Sequence, residues 1–135
     1  MAEPESGGEP TLVVDARNVM RSRWPNLSED LVIDRTRAWT DREGFSALIV
    51  FDGKPSGFGT GVSELDERTR VVGTRSADDW IAEQAELLGR KEARVWLVSS
   101  DRGLRQRVAP FVERFIGGGS FAGQLLALKR EPADG

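Results

Sequence analysis

At 135 residues, with 39% hydrophobic and 30% charged side chains, the chain is long enough for one globular domain with a single core. It has no His, no Cys and no Tyr, which excludes disulfides, Cys/His zinc sites, Ser-His-Asp and Cys-His catalysis, and a His general base. A net charge of −3 excludes a global basic field; the positive charge is local and nearly all arginine, 16 Arg to 3 Lys, the side chain suited to bidentate phosphate contacts.

Residues 1–9 are acidic and polar, with almost nothing to bury, so a disordered tail is expected rather than a signal peptide. A domain over 10–130 follows, and residues 131–135 should fray. No apolar run reaches the ~18 residues of a membrane span, so no membrane is implied and a cytoplasmic location is the default expectation. The first ordered stretch is Leu12-Val13-Val14, a strand apolar on both faces and closed by Asp15, with Asn18 three residues on. Residues 16–27 carry a turn at Trp24-Pro25-Asn26. Ser28 caps a helix over 29–42, with Leu31, Ala38 and Trp39 as its apolar stripe and Gly44 as its stop. A second strand over 46–51 ends in Asp52. Residues 52–63, with four glycines, read as a mobile loop with Phe58 near its middle. A third strand spans 69–73.

Ser76-Ala77-Asp78-Asp79 opens a helix over 77–89, whose buried face is Trp80, Ile81, Ala85, Leu87 and Leu88. A strand over 94–98 runs into Ser99-Ser100-Asp101, which opens a helix over 101–108. A last strand lies near 111–116. Gly117-Gly118-Gly119 reads as a turn, with Ser120 capping a helix over 121–128. Strand and helix alternate throughout. The fold class is therefore α/β, a three-layer α/β/α sandwich with a mainly parallel sheet and right-handed crossovers, and strand order 3-2-1-4-5.

In that order the first and fourth strands are neighbours where the order reverses, so Asp15 and Asp101 face each other across the ligand-binding crevice, with Asp52 on the adjoining strand. Asp78 and Asp79 open the long helix nearby. Each acid has a plain alternative. Asp101 and Asp79 suit helix caps, and Asp52 before Gly53 suits a turn. Asp15 and Asp78 have less such excuse, and one structural explanation must hold for all five at once. Clustered carboxylates repel one another unless a cation neutralises them. An all-oxygen set favours Mg²⁺ or Mn²⁺, which hold phosphate oxygens and activate water. Phosphodiester hydrolysis is the chemistry that needs this, with Asn18 orienting Asp15 or the water. Arg17, Arg21 and Arg102 start at the acidic edge and are candidates for phosphate contacts. Trp24 or Phe58 is a candidate for stacking on an unpaired base, although Trp24 reads more readily as core.

The segments VVDARNVMRSRWPNL, VFDG, TRSADDWIAEQAE and VSSDRG, in this order, resemble the NYN domains of the PIN-like nuclease superfamily, and within it the YacP-like branch. The resemblance spans residues 11–126. It implies an α/β/α sandwich and a metal-dependent endoribonuclease acting on RNA, single-stranded on the aromatic and arginine pattern. It also implies Asp15, Asp78 and Asp101 as the principal metal-site acids, Asp52 and Asp79 as supporting ones, and Asn18 as the first-motif amide. One departure is Ala16, where the usual motif has Gly after its Asp, so the turn there is expected to take another shape. A non-catalytic RNA-binding or adaptor module of the same fold is the first rival. A different metal-dependent phosphate enzyme is the second. A haloacid-dehalogenase motif would place an acid at Arg17, and the chain is short for an arch that threads DNA flaps.

Overall fold

The structure is a computed structural model and describes residues 8–128. The tail expected over 1–9 lies outside the described residues except at its end, and the fraying segment 131–135 lies outside them altogether. At the described end, Glu9 is not loose: it pairs with Arg68 at 2.9 Å.

The elements are β1 (Thr11–Asp15), α1 (Ala16–Arg21), α2 (Glu29–Glu43), β2 (Ser46–Asp52), β3 (Gly61–Glu64), β4 (Thr69–Thr74), α3 (Ala77–Arg90), β5 (Val95–Val98), α4 (Arg102–Val108), β6 (Arg114–Ile116) and α5 (Gly118–Ala127). One sheet carries all six strands in the order β3-β4-β2-β1-β5-β6, with every pairing parallel except β3 on β4. The expected five-strand order is present, with β3 added at one edge. The alternation of side chains sorts the core into two layers. Leu12 and Val14 of β1, with Ala47, Ile49 and Phe51 of β2, pack under α1, α2 and α5. Val13, Leu48 and Val50 face α3 and α4 on the other side. These central strands are buried on both faces, which is why they read as unbroken apolar runs.

Ser28 Oγ accepts from the Leu31 N–H and starts α2, and Gly44 at φ 79° ends it in the left-handed conformation that glycine adopts freely. The buried face of α2 is Val32, Ile33, Thr36, Trp39 and Thr40; Ala38, expected on it, is exposed. Trp39 meets Phe45 and Phe121 edge-on and donates Nε1–H to Gln124 Oε1 at 2.9 Å, locking α2 to α5. Each such aromatic pair adds about 1 kcal/mol beyond its burial. On α3, Ala77, Ile81 and Ala85 are buried, whereas Leu87 turns out to solvent.

Three further expectations need correction. Residues 52–63 are not a free loop. Ser56 N–H donates to Glu29 Oε1 at 2.8 Å, and Gly61–Glu64 pairs back on β4. A strand this short and polar has no periodic signal. Helix α5 starts at Gly118 with Gly117 as its cap, not at residue 121 behind Ser120. Ala16 forms no special turn, because α1 begins at it directly and its side chain is buried.

Candidate active site

Strand β1 lies at the centre of the sheet, with β2 and β5 on either side. Its last residue, Asp15, stands at the carboxyl edge where the strand order switches. The Asp15 carboxylate is 7% exposed and makes no cap bond to α1. Instead Ser99 Oγ, fully buried, donates to Asp15 Oδ2 at 2.8 Å and accepts from the Asp101 N–H at 3.1 Å. One hydroxyl thus ties the acid that ends β1 to the backbone of the acid that follows β5.

Asp101 Oδ1 accepts from Leu104 N–H at 2.9 Å and caps α4. Asp52 Oδ1, at the end of β2, accepts from Ala77 N–H at 3.2 Å, the first amide of α3. Asp78 lies in the first turn of α3. Asp15, Asp52, Asp78 and Asp101 line one cleft of about 260 Å³. The electrostatics register this crowding. Burial above all raises the Asp15 pKa, opposed by the Ser99 hydrogen bond; the Asp78 and Asp101 charges raise it further. Partial desolvation raises Asp78, an otherwise exposed residue, with Asp101, Asp52 and Asp79 adding to it and Arg107 opposing.

Asn18 also lines the cleft. Its Oδ1 accepts from the Ser100 N–H at 3.0 Å, and Ser100 Oγ accepts from the Gly118 N–H at 2.8 Å. The amide therefore fixes the loop carrying Asp101. A Cβ on Gly118 would sit 2.2 Å from Asn18 Oδ1, so any side chain there has to displace the Asn18 amide.

The structure does not bring every candidate together. Asp79 does not line the cleft: its amide is capped by Ser76 Oγ, and its carboxylate accepts from Arg107 Nη1 at 2.8 Å, which lowers its pKa. Arg102 is exposed on α4 and also does not line it. Phe58 is half-buried against the core under α1, α2 and α5. Arg17 reaches the cleft but is committed. It pairs with Glu29 at 2.8 Å, donates to the Asp52 backbone oxygen at 3.2 Å and covers the Phe51 ring. Arg21 lines the cleft and, among the described residues, has no ion-pair partner. Arg75, between β4 and α3, does the same; sequence reasoning missed it, although its place just before the Ser76 cap was a usable signal.

Among the described residues no three carboxylates converge closely enough to enclose a metal ion by themselves. The donor set, all hard oxygen and mutually repelling, instead fits a cation held by one or two carboxylates together with water and a phosphate oxygen, the usual binding mode of Mg²⁺.

The fold has close counterparts among solved structures. A point mutant of Rae1 (YacP) from Bacillus subtilis superposes with a TM-score of 0.65 at 18% identity, over 87% of this chain and 75% of that one. The unmutated Rae1 (YacP) gives 0.61 at 18%, over 86% and 73%. A mutant of T5 5'-exonuclease gives 0.53 at 15%, over 81% of this chain and 50% of that one. The fold is PIN-like. The chain spans about half the length of that exonuclease, and of a protein named T5 D15 that was co-crystallised with metal ions. No protein-family model and no curated protein matches the sequence. In this PIN-like sheet the acidic cleft occupies the carboxyl edge, the position at which open α/β sheets bind ligands.

Proposed function

We propose that the chain is a metal-dependent endoribonuclease in which the cleft acids Asp15, Asp78 and Asp101, with Asp52 beside them, hold Mg²⁺ or Mn²⁺ against an RNA phosphodiester, one or two of them directly and the others through water. The observation that carries this reading is the delivery of four carboxylates from separate parts of the chain into one cleft at the carboxyl edge of the sheet. The raised pKa values of Asp15 and Asp78 mark an arrangement that is unfavourable by itself, as expected where a cation is the missing neutraliser. When bound, a divalent cation lowers the pKa of water and stabilises the leaving oxygen. The chain's own residues supply the rest. Ser99 holds Asp15 and the Asp101 backbone in register, Asn18 holds the loop between β5 and α4, and Arg21 and Arg75 are placed to take phosphate oxygens. Asp79, paired with Arg107, is left out of the cation set, and Arg102 and Phe58 out of the substrate contacts. RNA is preferred to DNA on the resemblance of the four motifs to NYN domains. A second reading, a binding module without turnover, draws on the finding that among the described residues no three carboxylates converge.

The test is cleavage of a labelled single-stranded RNA pool, beside DNA of the same sequences, with Mn²⁺, Mg²⁺ or EDTA. Wild type and Asp101→Asn are run in parallel. Asparagine is as good an N-cap as aspartate, so the variant keeps α4 and the fold. Internal cuts in RNA that need both the metal and Asp101 are the expected result. Full activity in Asp101→Asn contradicts the assignment, and RNA binding with neither cleavage nor Mn²⁺ uptake favours the module.

A further inference from the structure

We propose that Trp24 is a base-stacking platform that holds one unpaired base of a single-stranded RNA beside the acidic cleft; this rests on the ribonuclease reading above. Trp24 is 88% exposed, the most exposed large hydrophobic among the described residues. That placement reverses the expectation from sequence, since a tryptophan reads first as core. The other three follow the rule: Trp39 is buried, and Trp80 and Trp96 pack against the two core layers.

The segment that displays Trp24 is tied down on both sides. Ser22 N–H and Oγ both donate to the Val19 carbonyl, at 3.2 and 2.6 Å, and close α1. Leu27 N–H returns to the Met20 carbonyl at 3.0 Å. Arg23 lies against α5 so closely that a Cβ on Gly123 would sit 2.8 Å from its guanidinium nitrogen. The neighbours of Trp24 are therefore anchored while its indole stays in water. A side chain of this size left exposed forgoes about 2 kcal/mol of burial or more, which a partner surface recovers.

Its place selects the partner. Arg21 lines the cleft, and its charge bears directly on Asp15. Trp24 follows three residues later, within about 11 Å of chain. That span is the length of about one to three nucleotides. Arg21 thus lines the cleft three residues before the platform, within reach of a phosphate on a strand that runs from one to the other. Arg21 and Arg23 give the patch a positive sign, which suits a polyanion better than an apolar peptide. An open indole face accepts any base but requires it to be unpaired, which commits the surface to single strands. Phe58, the other candidate, is engaged with the core.

The experiment measures binding of a labelled eight-nucleotide RNA by fluorescence anisotropy in the Asp101→Asn background, with Mg²⁺ present. Trp24→Ala is expected to weaken binding about 5- to 100-fold, and Trp24→Phe to restore most of it. Because the side chain is exposed, neither substitution should move the melting temperature appreciably, which excludes unfolding as the cause. RNAs with a single abasic site, scanned along the strand, should reveal one position that weakens binding to the parent protein and has no further effect on Trp24→Ala. Binding by Trp24→Ala within twofold of its parent overturns this inference and leaves the ribonuclease reading in place. Absence of RNA binding by the parent overturns it too, and absence of metal-dependent cleavage by wild type would show that the nuclease reading had failed with it.

Discussion

Asp15 is a carboxylate held where its charge is unwelcome, buried and facing other acids. Its pKa is raised above the ordinary 3.8, so the folded protein binds this proton more tightly than the unfolded chain does. Stability of the metal-free protein therefore falls as pH rises from the ordinary carboxylate range through the raised value, and the deficit persists above it. Asp15→Asn removes that deficit and can still accept the Ser99 hydrogen bond. In EDTA at pH 8 its melting temperature is expected to exceed that of wild type, with the gap closing towards pH 4. A variant that melts no higher at pH 8 would contradict the origin given to the shift. The acids were legible because each follows an apolar run or a helix cap, patterns that fix a residue's place along an element. What each carboxylate touches was not. Asp78 faces the cleft and Asp79 faces Arg107, although both sit in the first turn of α3. Trp24 was read towards the core because composition favours burial of indoles, and only the anchored loop shows otherwise.

Among the elements, α5 shows how a tertiary contact overrides propensity. Three glycines are poor helix formers, so the run 117–119 reads as a turn. The first turn of α5 nevertheless contains Gly118 and Gly119, and at 118 the Asn18 amide of α1 occupies the space a Cβ would take. Gly118→Ala is expected to cost about 1–3 kcal/mol in denaturant unfolding by displacing the Asn18 amide from its bond to the Ser100 N–H. Adding Asn18→Ala should recover part of that loss by removing the obstructing amide, and an additive double variant would refute the contact as the cause. The parallel strands were legible from apolar runs that need cover on both faces. Strand β3 was not, since its pairing with β4 is a close backbone fit. A Cβ on Gly73, opposite Gly61, would approach the carbonyl oxygens of Gly59 and Gly53 to within 3 Å.

At the scale of the molecule, the proposed activity requires a chain of net charge −3 to bring a polyanion to a cleft lined by four acids. Long-range attraction does not do this. Arg21 and Arg75, which line the cleft and are free of ion pairs among the described residues, are the side chains proposed to supply it locally. Replacing either with Gln is expected to weaken single-stranded RNA binding and to lower the dependence of log K on log salt by about 0.7 each. An unchanged slope would remove that arginine from the phosphate path. Arg17→Gln should act differently. Its ties to Glu29, the Asp52 carbonyl and the Phe51 ring make it a brace between α1, α2 and β2. Among the described residues no helix is long and apolar enough to cross a membrane.

In the proposed mechanism the cleft acids, and not acidity at the start of α3 in general, carry hydrolysis. Asp78 and Asp79 are adjacent, and the geometry separates them, so the most direct measurement is the single-turnover cleavage rate of one labelled RNA with Mn²⁺ by Asp78→Asn and Asp79→Asn. Asp78→Asn is expected to lose on the order of 100-fold or more, whereas Asp79→Asn stays within about threefold of wild type. Equal loss in both, or loss in Asp79→Asn alone, would contradict this account of the site.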